Sequence, residues 1–583
     1  MESMTHIKCK RRASSFRMGG IFMAFVLAPA VFLILSLPAE AQTQIARTAH
    51  NLTPTGPGTL RVTQPAGLCV FCHTPHNAKP TVALWNRELP GVTYTLYESS
   101  TLQATLNQPT GASRLCLSCH DGVLALGSLR VPPKGGNFTL GPLTGKNALG
   151  TNLSADHPIS FIYDSALALR RGQLADPLTL PTTIHLDNTR QLQCTTCHDP
   201  HEDRQPKFLR MDNRLGALCT TCHQLSKWND SSHATSTATW KGTAASPWPD
   251  GAFATVADNA CLNCHRSHAA GHPQRLLAQS MESANCTVCH NGAVADKNIE
   301  TEFLKPFRHL VDSSQWIHDP KEEPALMSRH VTCADCHNPH AVTSTAAQPP
   351  MASGRLRSVL GVTIGGSRIE SANYEYEVCL KCHGMTEPAT LGNVRQDNTR
   401  NIRLNINPNN ASYHPLAAPG KNATILGLLP GYTSASQIAC TDCHNNDEWT
   451  STGIRPRGPH GSRYEPILAQ EYQAGDPVTE SFSSYALCYN CHDRTTLFQG
   501  FGGFPHNTHV VLQNTSCAVC HDAHGSRQNT HLINFMTVAK AGNPVVSPSK
   551  TTGLLQFLPN PAQPGRGGCS LNCHGSEHNS RSY

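Results

Sequence analysis

The stretch Cys194-Thr195-Thr196-Cys197-His198-Asp199-Pro200-His201, continued by Lys207-Phe208-Leu209-Arg210 and Leu218-Cys219-Thr220-Thr221-Cys222-His223, sets the reading of this 583-residue chain. It contains C-x-x-C-H twice. Cysteines at i and i+3 share one face of a helical turn, and a histidine at i+4 lies on that face too. Two thiols so placed can add to the two vinyl groups on one side of a porphyrin. The histidine then stands under the iron as its proximal ligand, so the motif reads as a c-type haem attachment.

The motif recurs along the chain. Cys69/Cys72/His73, Cys116/Cys119/His120, Cys194/Cys197/His198, Cys219/Cys222/His223, Cys261/Cys264/His265 and Cys286/Cys289/His290 form the first half. Cys333/Cys336/His337, Cys379/Cys382/His383, Cys440/Cys443/His444, Cys488/Cys491/His492 and Cys517/Cys520/His521 follow. A twelfth copy, Cys569/Cys573/His574, carries one extra residue between its cysteines. A shuffled chain with 25 Cys and 32 His would hold roughly 0.06 C-x-x-C-H motifs, so chance does not explain the series. A zinc site needs no histidine after every second cysteine. The twelve motifs use 24 cysteines and leave only Cys9, so no cysteine remains in the mature chain for a structural disulfide. About twelve covalent haems are expected, numbered here as sites 1 to 12 in chain order.

The N-terminus reads as a secretory leader, 1–41. Lys8, Lys10, Arg11, Arg12 and Arg17 precede an apolar run from Met18 to Leu37, and Ala39-Glu40-Ala41 is an A-x-A cleavage site. No second run is long enough to span a bilayer, so no membrane span is expected after cleavage. The formal charge is +6. Five basic residues against Glu2 and Glu40 put +3 of this in the leader and leave the mature chain near +3. Haem propionates would make the holoprotein acidic, so the basic sequence is no argument for nucleic acid.

The mature chain offers about 45 residues per haem, too few for a separate domain around each. Apolar content is 39%, aromatics are 6%, and Gly (43) and Pro (41) are abundant. Such a chain will not build a large side-chain core. The expected fold is haem-cored: mostly irregular coil, short α-helices at the motifs and little β-structure. The motifs fall into six pairs, with expected units 42–148, 149–244, 245–300, 301–395, 396–503 and 504–583. First members carry a histidine three residues past the proximal one: His76, His201, His268, His340 and His524. The fifth pair departs, with His444-Asn445-Asn446-Asp447.

This layout resembles the doubled C-x-x-C-H multihaem c-type cytochromes of metal-respiring bacteria. Their pattern runs C-x-x-C-H-x-P-H, an apolar-basic stretch, then L-C-x-x-C-H, as at 194–223. The resemblance covers nearly all of the mature chain. It implies that each +3 histidine ligates a neighbouring haem's iron rather than its own. Bis-histidine ligation is expected to dominate, since the mature region has only six methionines. Further distal candidates are His50, His157, His185, His309, His330, His414, His460 and His509. His233 and His272 rank below these, and His318, His506, His531 and His578 read as surplus.

The expected function is electron transfer through closely spaced haems, in the periplasm or outside the cell. Partners would be other cytochromes or redox proteins, or an extracellular acceptor such as a metal oxide. An oxyanion reductase with one open haem, and a haem-stacked oligomer or filament, are the alternatives. No catalytic residue is identified.

Overall fold

The structure is a computed structural model. It describes residues 45–582 except 80–83, 243–245, 249–252, 312–315, 324–325, 327–329, 385–391, 400, 423–424, 426, 454, 500–503 and 564–565. The expected leader lies outside the described residues. The chain is mostly coil, with 22% helix and 14% strand. Among the described residues no helix is long and apolar enough to cross a membrane.

Among the described residues the α-helices are short; those at Ser165–Arg171, Ser232–Thr235, Val256–Asn259, Ile402–Asn405 and Arg494–Phe498 lie outside the attachment motifs, and the others sit at them. These others are α1 (Gly111–His120), α2 (Cys194–Cys197), α3 (Ala217–Cys222), α4 (Glu282–Thr287), α5 (Cys333–Cys336), α6 (Glu375–His383), α7 (Cys440–Cys443), α8 (Ala486–Tyr489) and α9 (Cys517–Cys520). Sites 1 and 5 use 3-10 turns at Leu68–Phe71 and Ala260–Asn263. In α2, α5, α7 and α9 the backbone turns extended at the histidine itself. Its N–H still donates to the first cysteine carbonyl, at 2.8–3.0 Å in all four. One closed turn therefore fixes the thiols, and the chain then leaves.

Such short helices expose their first N–H groups, and the preceding even-numbered motif helix satisfies them. The buried Glu282 of α4 accepts from Ala334 N at 3.2 Å, at the start of α5. The buried Glu375 of α6 accepts from Thr441 N at 2.8 Å and Thr441 Oγ1 at 3.1 Å, at the start of α7. Ser113 Oγ of α1 accepts from Cys194 N at 3.0 Å, at the start of α2. A carboxylate at a helix N-terminus is favoured by the aligned peptide dipoles. These junctions set consecutive pairs end to end.

Small antiparallel ladders provide the second recurring element. β1 (Phe307–Arg308), β2 (Ser412–Tyr413), β3 (Gly461–Ser462) and β4 (Gly525–Ser526) are two residues each. Phe307 faces Ser462 and Arg308 faces Gly461, so His309 and His460 flank the β1–β3 ladder. Ser412 faces Ser526 and Tyr413 faces Gly525, so His414 and His524 flank the β2–β4 ladder. Glycine is required where the ladders meet neighbouring backbone. A Cβ at Gly461 would stand 1.9 Å from Glu302 O, and one at Gly525 2.0 Å from Asn405 O.

The side-chain core is broken into local clusters. One of them joins Ala518 and Val519 of α9 to Phe535, Met536, Val546, Cys569 and Leu571. It rests on a four-stranded antiparallel sheet of β5 (Val546–Ser547), β6 (Gln556–Pro559), β7 (Gly567–Cys573) and β8 (Ser576–Ser582), with β7 pairing all three others. Between the clusters runs a cavity of about 4700 Å³, against roughly 300–1,000 Å³ for one ordinary ligand pocket. It is lined by both cysteines and the histidine of all eleven C-x-x-C-H motifs, and by none of those three residues of the twelfth.

Gly525→Ala should force the β2–β4 ladder apart, since backbone is what the new methyl meets. A loss of about 1–3 kcal/mol is expected from such overpacking, read by thermal unfolding of the holoprotein.

Candidate metal centres

Histidine rings approach one another in a repeated way. Proximal His73 faces His201 at 6.1 Å between ring centroids, His198 faces His268 at 6.3 Å, and His265 faces His340 at 6.1 Å. His337 faces His460 at 6.1 Å, His444 faces His524 at 6.2 Å, and His521 faces His506 at 6.5 Å. At even sites, His120 faces His50 at 6.2 Å, His223 faces His157 at 6.3 Å, His290 faces His233 at 6.2 Å, and His383 faces His309 at 6.4 Å. At site 10, His414 is the histidine with the largest electrostatic effect on the His492 ring. Two metal–imidazole bonds of about 2 Å each, plus the depth of two rings, place centroids about 6.3 Å apart. The span is too wide for ring contact and matches two ligands on one iron. Together with the motif-lined cavity, it shows that these residues fit the haems the motifs call for.

Seven of these rings are held neutral. Burial first, then the facing histidine, lowers His290, His383, His444, His492 and His521 to about 4. The same causes lower His340 to about 4 and His460 to about 3. A metal ligand must be neutral imidazole, and its other nitrogen is commonly tied to a carbonyl. Nδ1 donates to a backbone oxygen from His120 (Asn147, 2.9 Å), His198 (Lys207, 2.9 Å), His265 (Arg275, 2.8 Å) and His337 (Arg355, 2.8 Å). His521 does the same to His531 O at 2.7 Å. These bonds leave Nε2 for a metal.

The facing histidines of each pair are themselves tied together. His50 Nδ1 donates to Pro200 O (3.2 Å), His233 Nδ1 to Pro339 O (2.9 Å), His309 Nδ1 to Pro459 O (2.9 Å), and His414 Nδ1 to Ala523 O. Each acceptor is the residue just before the histidine facing the odd site of the same pair. His157 makes the equivalent link through its backbone N–H to Ser267 O at 2.8 Å. In the sixth pair both come from one turn: His509 Nδ1 lies 3.1 Å from Pro505 O, just before His506.

Ring orientation alternates along the chain. At the six odd sites the facing rings are within 1–37° of parallel. At sites 2, 4, 6 and 8 they cross at 54–79°.

Cysteine contacts give the order of the sites. Between pairs, first cysteines meet: Cys116 and Cys194 are hydrogen-bonded, as are Cys219 and Cys261, Cys286 and Cys333, and Cys379 and Cys440. Cys488 and Cys517 are electrostatic neighbours. Within pairs, Cys72 neighbours Cys119, Cys197 neighbours Cys222, and Cys264 neighbours Cys289. Cys336 neighbours Cys382 as well as Cys379, Cys443 neighbours Cys491, and Cys520 neighbours Cys573. The sites therefore follow one another in space as they do in sequence.

The structure does not bring every sequence candidate to such a position. His185 is exposed. His330 stands 3.2 Å from Glu322 and 5.7 Å from the Trp316 ring, although it precedes its motif closely. His76 is exposed, with no histidine ring at this spacing among the described residues. His233 and His506, ranked low or surplus from sequence, do face proximal histidines. In the fifth pair, Asp447 fills the +3 place and is fully buried against Lys305 at 2.8 Å and Arg463 at 2.6 Å. Burial alone would raise its carboxyl, but hydrogen bonds from Lys305 and Arg463 hold it below its ordinary range. His460 takes the place facing His337 instead. His318, Glu322 and Asp335 also converge, but Lys381 Nζ already sits 2.7 Å from Asp335.

The family model described as the doubled CXXCH motif matches residues 186–227 and 254–295, and that of cytochrome c554 and c-prime matches 439–522. The chain is a multihaem c-type cytochrome. It is 23% identical over 312 residues to the C-type polyheme cytochrome OmcB of Geobacter sulfurreducens, in two strains, covering 50% of this chain and 33% of the relative. It is 34% identical over 84 residues to the multiheme cytochrome MtrA of Shewanella baltica, covering 14% of this chain and 18% of that protein. The chain thus spans about a third of the length of the first of these relatives.

His201→Ala should turn one haem high-spin, and that haem should be the one attached beside His73, not the one beside His198. Site-resolved NMR or EPR of the oxidised protein would separate the two. The ring angles carry a second expectation. Parallel imidazoles donate into the same iron d orbital and split the pair, whereas crossed rings leave it nearly degenerate. The low-spin EPR spectrum should therefore contain an ordinary rhombic class and a strongly anisotropic class, in comparable numbers. A single class would contradict the alternation.

Proposed function

We propose that this cytochrome is a linear electron conduit of about twelve haems held mainly by two histidines each. Covalent c-type haem and electron transfer follow from the motifs and the relatives; the count, the ligand set and the single line of sites are the proposal. Its main support is the recurrence of facing histidines at 6.1–6.5 Å beside ten of the attachment motifs.

The proximal ligands on this reading are, at sites 1 to 11, the motif histidines. The distal ligands at sites 1 to 11 are His201, His50, His268, His157, His340, His233, His460, His309, His524, His414 and His506. Haem iron supplies the one-electron chemistry when bound. The protein sets how that chemistry runs. Two imidazoles give lower potentials than a histidine–methionine pair. The Nδ1–carbonyl bonds fix ring orientation, and burial excludes water from the ring faces. Each tenfold in a one-electron equilibrium is about 59 mV, so modest differences in these surroundings bias flow without blocking it.

Full occupation by histidine pairs disfavours the oxyanion reductase, which needs an open coordination position. The expected leader, 1–41, supports a place in the periplasm or at the cell exterior. Redox partners there would be other cytochromes, with a metal oxide as a terminal acceptor.

Redox titration of purified holoprotein, with haem quantification, tests the reading. Close to twelve haems per chain, all low-spin and spread over low potentials, is the expected result. A high-spin ferric signal stoichiometric with protein would favour the reductase.

A further inference from the structure

The twelfth motif is built unlike the other eleven. Cys569 and Cys573 lie on β7, an extended strand, where the other motifs have one tight turn. His574 and Gly575 are the two residues joining β7 to β8, with Cys573 facing Ser576 across the turn. Both have positive φ, 51° and 82°. That is the backbone of a type I′ hairpin turn, whose twist suits paired strands. The extra residue in C-x-x-x-C-H thus puts the motif histidine at a hairpin tip. There its Nε2 lies 2.8 Å from the buried Asp476, while the ring remains 39% exposed. Asp476 also accepts from Ser516 N at 2.9 Å, which fixes it in place.

Another histidine stands where an axial ligand is wanted. His578 on β8 faces Leu571 on β7. Residues two apart on a strand point to the same face, and cross-strand partners share it. Cys573 and His578 are therefore diagonal neighbours on one face of the sheet. His578 also stands 6.2 Å from His509, ring to ring, the spacing found at the other sites. His509 is the next member of the even-site series. Like His50, His233, His309 and His414, it bonds through Nδ1 to the carbonyl just before the histidine that faces the odd site, here Pro505 before His506. Cys573 neighbours Cys520, continuing the within-pair contact of second cysteines.

We infer that the iron of the twelfth haem is bound between His509 and His578, and that the motif histidine His574 is not its ligand. This rests on the bis-histidine reading above. His574 instead closes the hairpin and pairs with Asp476. The ring angle of this pair, 33°, would place site 12 with the near-parallel odd sites rather than with the crossed even ones.

The test uses full-length holoprotein carrying His578→Met or, separately, His574→Met. His578→Met should leave the haem count unchanged and convert one haem in twelve to histidine–methionine ligation. That haem should show a raised potential and the near-infrared signature of an iron–sulfur bond. His574→Met should leave every haem bis-histidine. The inference is overturned if His578→Met leaves the spectra unchanged or loses a haem. It is overturned equally if His574→Met produces the methionine signal or loses a haem, or if the unaltered protein holds eleven haems. Failure of the underlying bis-histidine reading would look different: high-spin haems at many sites in the unaltered protein.

Discussion

An iron held by two imidazoles fixes the distance between them, and the rest of this fold follows from that span. One of the two rings is tied locally, by a closed turn to the cysteines that hold the porphyrin. The other must be carried to the far side of the ring by a different segment. At sites 1, 3, 5 and 9 that segment is the attachment turn of the next pair, through His201, His268, His340 and His524. On the proposed ligation these four odd sites are each completed by the next pair, while the sixth pair completes its own through His506. Ligation would then hold the chain along its length, where a conventional domain would rely on a continuous apolar core. This explains how a sequence so rich in glycine and proline adopts a defined path with only small clusters of packed side chains.

The two-residue ladders make the arrangement economical. The histidine for an even site and the histidine for the neighbouring odd site sit beside the same short backbone pairing, as His309 and His460 do beside Phe307–Arg308 and Gly461–Ser462. One pairing places two ligands toward two successive irons.

The attachment turns were legible in the sequence because five consecutive residues specify them. The +3 histidines were legible for the same reason, as a fixed offset from an obvious landmark. Ligands defined by the ladders were harder. His233 and His506 lie in no recognisable local pattern; what marks His233 is a bond to the Pro339 carbonyl, more than a hundred residues away. His330, close to its motif in sequence, meets Glu322 at 3.2 Å. The fifth pair shows how the rule can be broken without losing the site. Asp447 gives up the ligand position to a buried ion network with Lys305 and Arg463, and His460 supplies a ring from the ladder instead.

A line of sites in sequence order has a consequence that a compact cluster would not. On the proposed line, every electron crossing from one end to the other would use every haem, so no parallel route would bypass a poor step. The alternating contacts, first cysteine to first and then second to second, mean that steps come in two geometries. Within a pair the two haems share a ligand ladder; between pairs they share a helix junction such as Glu375 on Thr441. The slower geometry sets the rate of the whole line. Where ionised, the buried junction carboxylates Glu282 and Glu375 would add negative charge beside particular haems and so stabilise their oxidised form relative to neighbours. The polypeptide thus grades the line most directly at the boundaries between pairs, where each boundary is a passage that every electron has to make.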